Sequence, residues 1–113
     1  GIGTSTPTAN LDVNGTTKLG TNGTVLTSVI KNSQSIDLPA IAPTGGVWVQ
    51  TFAVPNAAVG SEVHVSPELA LPDGIIMAYS RVSAANTVEV KFYNASFAPV
   101  DPPVMNWHIT VVQ

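Results

Sequence analysis

The sequence contains no cysteine and unusually little charge. The absence of cysteine excludes disulfides, thiolate metal sites and a cysteine nucleophile. Only 10% of the residues are charged, against about 25% in an ordinary soluble domain. The surface therefore consists largely of Thr, Ser, Asn and small apolar side chains. Such a surface resists association poorly, which favours burial of part of it in an oligomer.

Clustered basic charge and long apolar runs are also missing. The net charge is −3, and the basic residues are scattered along the chain: Lys18, Lys31, Arg81 and Lys91. Nucleic-acid binding requires a clustered basic patch, so we expect no nucleic-acid partner. No apolar run approaches the ~20 residues of a spanning helix, so we expect no membrane insertion.

What the sequence does contain is a series of short β-branched runs separated by Gly, Pro, Asn and Asp. This pattern is typical of an all-β protein. One helical turn at most is expected, at 66–71, where Pro72 ends it. Strands are predicted at 24–30, 46–54, 62–66, 75–83, 87–94 and 106–113. Their number and spacing predict an antiparallel β-sandwich, jelly-roll-like in its winding.

A tight connection at 84–86 predicts that its two flanking strands form a hairpin. In that hairpin Arg81 is expected near Glu89, as an exposed cross-strand pair of small energetic weight.

The first thirty residues differ from the rest. An Asn-Gly-Thr element occurs at 14–16 and again at 22–24, each time followed shortly by an apolar residue. Such a segment has too few apolar side chains for a core, and becomes stable when copies from neighbouring chains wrap together. We therefore predict a shaft-like trimerisation segment at 1–30 and a β-sandwich tip domain at 31–113. A flexible Gly/Thr linker at 1–30 is the alternative.

The opening stretch, GIGTSTPTANLDVNG at 1–15, closely resembles a motif of phage tail fibres, tail spikes and large bacterial surface proteins. In that group the motif often lies where a repetitive shaft meets a C-terminal domain. The later stretches TFAV at 51–54, ALPDG at 70–74 and RVSAANTVEVKF at 81–92 resemble the tip domains that follow such shafts, although less specifically.

The resemblance implies a homotrimer in a virion tail fibre or at the cell surface, often with receptor attachment. Apolar residues of the first segment, together with one tryptophan, are the expected trimer contacts: Leu11, Val13, Leu19, Val25, Leu26 and Trp48. Two other interpretations stay open. In one, the domain is a purely structural trimerisation cap. In the other, it is a subunit of an extracellular filament assembled by strand addition.

Catalytic and metal-binding patterns are sparse. No serine lies in a G-x-S-x-G motif, and His64 and His108 are lone histidines on the polar side of alternating strands. We expect no enzyme, no cofactor and no metal site within one chain. A trimer that gathers three copies of one histidine around its axis is the only alternative metal site.

Ligand binding is better supported by the residue pattern. Sugar-binding β-sandwiches use exposed aromatics beside hydroxyl, amide and charged groups. Such residues lie close together on two adjacent predicted strands: Tyr79, Arg81, Lys91, Tyr93 and Asn94. We predict that they form a patch for a cell-surface receptor, which is a glycan or, as the alternative, a protein. An ordinary solvated sheet face is the alternative.

Overall fold

In the computed structural model, which describes residues 1–113, the chain forms β-strands and no helix. Two short strands come first, β1 (Thr17–Lys18) and β2 (Val25–Leu26). Six longer strands follow: β3 (Val29–Ile36), β4 (Gly46–Ala53), β5 (Glu62–Pro67), β6 (Ile75–Ala84), β7 (Thr87–Asn94) and β8 (Met105–Val112). No helix long and apolar enough to cross a membrane is present.

The six longer strands form two antiparallel three-stranded sheets, β3-β8-β5 and β4-β7-β6. β3 pairs with β8, the last strand, and β4 pairs with β7, so the chain is wound in a nested order. The predicted hairpin is present as β6 and β7, with Arg81 opposite Glu89. The all-β antiparallel sandwich expected from the sequence is therefore confirmed.

The core lies between the two sheets because each strand turns alternate side chains inward. Trp107 of β8 is at its centre, packed against Phe92 in an edge-on arrangement and against Phe52 at a tilted angle. The surrounding core is made of aliphatic side chains: Leu38, Ile41, Val54, Val65, Ile75, Val82, Val88, Val90, Met105, Ile109 and Val111.

Strand β3 extends well beyond the predicted strand at 24–30. Its polar stretch 31–35 lies in register with β8 over the whole length of both strands. The inward residues Asn32 and Gln34 are amides, half-buried at one side of the sandwich, where Gln34 Nε2 donates to Asn32 Oδ1 and to Ala53 O. The pairing with β8 therefore keeps 31–35 in a strand, although the alternation of apolar residues does not predict one there.

The two ends of the sandwich are distinct. At one end, which we call the base, Thr27 N and Ser28 N both donate to Gln113 O, and Val54 N donates to Asn86 O. The loops 37–45, 68–74 and 95–104 meet at the opposite end, which we call the apex. There Thr44 N donates to Ser96 O and Ala95 N donates to Gly74 O.

Residues 1–26 extend from the base. They contain the β1–β2 hairpin and a parallel bridge between Ile2 and Val13, and they contribute no residue to the core. The molecule measures 56 × 27 × 24 Å with a radius of gyration of 17.4 Å, against about 13 Å for a compact chain of this length. The molecule is therefore elongated.

Candidate ligand-binding face

The outer surface of the β4-β7-β6 sheet carries most of the predicted ligand-binding residues. We call it the tyrosine face. The outward positions of its three strands define it: Val47, Val49, Thr51, Ile76, Tyr79, Arg81, Glu89, Lys91 and Tyr93.

Strand register brings the predicted residues together. Tyr79 lies opposite Lys91, and Ile76 lies opposite Tyr93. On the other side of β7, Lys91 is opposite Val49. Directly opposite side chains in antiparallel strands are within contact distance, so Tyr79, Lys91 and Tyr93 belong to one continuous patch.

An irregularity in β6 decides which way Tyr79 faces. The register with β7 shifts between Met77 and Tyr79, so two residues of β6 span one step of β7. Met77 pairs with the inward Phe92, whereas Tyr79 pairs with the outward Lys91. Strict alternation would place Tyr79 on the same side as Met77. The bulge therefore turns the tyrosine to the outer surface, a role that bulges often have beside functional sites.

Glu89 is the acceptor that organises this face. Its Oε2 accepts a hydrogen bond from Tyr79 Oη at 2.9 Å and one from Arg81 Nε at 2.8 Å. The hydrogen bond from Arg81, and then that from Tyr79, lower the pKa of Glu89 below its ordinary value. Conversely, the hydrogen bond and the charge of Glu89 raise the pKa of Arg81. Both groups therefore remain ionised at neutral pH.

Lys91 completes the charged part of the face. Its Nζ lies 6.0 Å from the centroid of the Tyr79 ring, at the outer limit of a cation–π contact. The face thus combines two tyrosine rings with two cations and one carboxylate, and it can offer both stacking surfaces and hydrogen-bond donors.

Asn94, the fifth predicted binding residue, is not part of this face. It is fully buried, because it shares the inward side of β7 with Phe92. Its Nδ2 donates to Ile41 O and Ala98 O, and its Oδ1 accepts from Ser96 N and Ser96 Oγ. All of its polar atoms are used inside the chain, so Asn94 supports a loop and is not accessible to a ligand.

The predicted trimer contacts are mostly accessible in the single chain. Leu11, Leu19 and Val25 are exposed, and Val13 and Leu26 are half-buried. Trp48 lies on the inward side of the edge strand β4 but remains 40% exposed, and its Nε1 donates to Gln50 Oε1. These residues are free to contact another copy.

Two concave regions are present, and one of them touches the tyrosine face. A cleft of about 590 Å³ lies at the base, between 24–27, 58–62 and the end of β8. A smaller one of about 330 Å³ lies between β5 and β6 and includes His64, Met77, Tyr79 and Ser80. Tyr79 therefore borders both the flat face and a recess beside it.

The opposite outer face contains a constellation that the sequence analysis missed. Ser33 Oγ lies 2.7 Å from His108 Nδ1, and His108 Nε2 lies 3.9 Å from Glu68 Oε1. The order resembles nucleophile, base and acid. However, the His108 and Glu68 side chains are about half exposed, and neither concave region includes any of the three residues. Electrostatic stabilisation of a reaction needs an enclosed, water-poor site, so we assign these contacts to surface hydrogen bonding.

Comparisons with known proteins returned no match among protein families, curated proteins or solved structures. No group of three or more His, Asp or Glu residues is placed to hold a metal ion.

Proposed function

We propose that this chain is the tip domain of a trimeric tail fibre or related extracellular fibre, and that its tyrosine face attaches to a cell-surface receptor. One observation carries the proposal. Tyr79, Arg81, Lys91 and Tyr93 share one exposed surface, although a bulge is required to bring Tyr79 onto it.

The chemistry of the face suits a glycan. Sugars present apolar ring faces that stack on aromatic side chains, and hydroxyl groups that bind charged and polar neighbours. Tyr93 and Tyr79 supply rings, while Lys91 supplies a donor without an ion-pair partner. The Arg81–Glu89 pair adds a fixed donor and acceptor.

The shape of the molecule supports the fibre. The nested strand order is compatible with a small jelly-roll-like sandwich, and the segment at 1–26 leaves its base as an extension. Ordering a backbone costs about 1–2 kcal/mol per residue. The extension has no core residues of its own to offset this cost. The cost is better offset when the equivalent segments of three copies bury Leu11, Leu19 and Val25 against one another.

A second function, a structural trimerisation cap, is favoured by a different part of the same face. Val47, Val49 and Ile76 are exposed beside the tyrosines. Exposed apolar side chains grouped on one sheet are typical of surfaces that bind other proteins. In this alternative the face packs against neighbouring copies and recognition takes place elsewhere.

One set of variants separates the two functions. Solution mass is measured by light scattering, and binding is measured on a glycan array and on intact bacterial cells. For attachment, Tyr93→Ala keeps the mass of three chains and reduces binding by about tenfold or more, the effect of losing one stacked ring and its contacts. For a cap, Val49→Asp reduces the mass to one chain because it places charge in the interface.

Ser35→Asp is the matched control for Val49→Asp, since Ser35 occupies an outward, exposed position on the other sheet. A wild-type mass of one chain contradicts the fibre, and a very large polymer favours a filament built by strand addition. Unchanged binding in both Tyr93→Ala and Lys91→Ala contradicts attachment through this face.

A further inference from the structure

Phe97 is the most exposed large apolar residue in the chain. It is 93% exposed, on the 95–104 loop at the apex, far from the base where residues 1–26 leave the sandwich. Full exposure of a phenylalanine forgoes roughly 2 kcal/mol that burial would supply. A side chain in this position contributes little to folding and is available for a contact outside the domain.

The turn that presents Phe97 is held by several hydrogen bonds. The buried amide of Asn94 holds it through the backbone of Ser96 on one side of Phe97 and through Ala98 O on the other. The Ser96 hydroxyl, 2.7 Å from Asn94 Oδ1 and 2.9 Å from Ala98 O, shares its single proton between these two acceptors. The backbone of Phe97 therefore lies between two neighbours that are both hydrogen-bonded to the domain.

Further contacts support the same turn. Thr44 N donates to Ser96 O, and Ala95 N donates to Gly74 O. Gly74 has a φ of 89°, and a Cβ atom there would lie 2.8 Å from Ser96 Cβ. Only glycine allows this close approach. A turn held in this way loses little conformational entropy on binding, and preorganisation of this kind raises affinity.

The apex also carries most of the negative charge of the chain. Its three loops contain exposed Asp37, Glu68, Asp73 and Asp101 and no Lys, Arg or His, and of these carboxylates only Glu68 lies near a basic side chain, His108 of β8 at 3.9 Å. The rest of the chain has only three carboxylates against all of its Lys and Arg residues. A ligand that approaches the apex therefore meets a negative field, which attracts a basic surface and repels an anionic one.

From these two features we infer that Phe97 is the anchor of a second binding surface, whose partner is a protein with an apolar pocket rimmed by Lys and Arg. Phe97 has no hydrogen-bonding group, so a pocket of apolar side chains matches it better than a sugar does. Anionic polysaccharides are disfavoured by the carboxylates. Packing of the three apices of one trimer against one another is disfavoured for the same reason.

This inference rests on the proposed attachment function but concerns a different surface. The probe is a panel of intact Gram-negative and Gram-positive cells, used untreated, after proteinase K or after periodate oxidation of glycans. The fluorescently labelled full chain is tested as wild type, as Phe97→Ala and as the control Val59→Ala, which removes an exposed apolar side chain at the base. Solution mass and thermal unfolding are recorded for each.

We expect Phe97→Ala to fold and assemble as the wild type does and to bind cells at least about tenfold more weakly, as for an interface anchor. Val59→Ala should bind normally. Proteinase K should remove the Phe97-dependent binding and periodate should not. Binding should weaken as salt rises, and the neutralising variant Asp73→Asn/Asp101→Asn should lose part of this salt dependence.

Three results overturn the inference while leaving attachment through the tyrosine face in place. The first is unchanged binding by Phe97→Ala. The second is loss of the Phe97-dependent binding after periodate alone. The third is a lower solution mass for Phe97→Ala, which would place Phe97 between copies. Absence of wild-type binding to every strain overturns the inference and the attachment function together.

Discussion

At the scale of single residues, Glu89 organises the tyrosine face because one of its oxygens accepts from both Tyr79 and Arg81. We predict that Arg81→Gln raises the pKa of Glu89 toward its ordinary value. Tyr79→Phe should raise it by less, because Arg81 is the larger cause of the lowered pKa. An NMR titration of the Glu89 carboxyl carbon measures both shifts.

The sign of the pH dependence follows from the lowered pKa of Glu89. Its stabilising contribution is fully present above the ordinary carboxyl pKa of about 4.3 and is lost as pH falls through the lower folded value. A Glu89 pKa that does not move in Arg81→Gln contradicts the assigned role.

Asn94 shows what residue type alone does not reveal. Its polarity and its place after Tyr93 predicted a binding residue, yet it has the same inward direction as Val90 and Phe92 and is buried. The alternation of side chains along β7 was enough to predict this inward direction, because Asn94 is two residues after Phe92. The four hydrogen bonds of its side chain did not follow from sequence, because their partners Ile41, Ser96 and Ala98 come from loops whose positions depend on the whole fold.

At the scale of elements, the β6–β7 hairpin depends on its turn residue Asn86. Asn86 has a φ of 62°, and its Oδ1 accepts from Asn56 N at 2.7 Å. We predict that Asn86→Ala destabilises the fold by about 1–2 kcal/mol, from strain at positive φ and the lost hydrogen bond. Urea unfolding measures the change.

Asn86→Gly is the matched variant, since glycine adopts positive φ without strain but lacks the side-chain acceptor. It should lie between the wild type and Asn86→Ala in stability. Equal stability of the two variants would show that backbone strain contributes nothing at this turn.

The strands also differ in how well they could be predicted from the sequence. Strands β7 and β8 alternate cleanly, and both were predicted nearly to their ends. Strand β3 was missed over 31–36 because its inward side carries Asn32 and Gln34 instead of apolar residues. The bulge at Met77 and Tyr79 has no local signal either, since it arises from the match between two strands. Pairing of β3 with β8 joins segments at opposite ends of the domain, so local patterns cannot specify it.

At the scale of the whole molecule, the core and the extension are separate. The core begins at Leu38, whereas the exposed Leu11, Leu19 and Val25 lie within 1–26. We predict that the sandwich still unfolds cooperatively after deletion of 1–26, with nearly the same urea midpoint. The same deletion should reduce the solution mass from three chains to one.

Light scattering and urea unfolding on the same preparation test both parts of this prediction. Deletion of 1–10 alone is the graded control, because it retains the β1–β2 hairpin. Loss of cooperative unfolding after deletion of 1–26 would show that the extension belongs to the folding unit. An unchanged mass of three chains would place the assembly contacts on the sandwich instead.

The pairing of β3 with β8 has a mechanical consequence. The extension joins the sandwich at Val29, and β3 runs from there toward the apex, paired with β8 from Val29 to Ile36. Tension between the extension and a contact at the apex is therefore directed along β3. The hydrogen bonds of an antiparallel pair lie across the strands, so such tension loads the whole ladder in shear and does not open it one bond at a time. A domain pulled in this direction resists rupture better than one whose strands are peeled apart one hydrogen bond at a time.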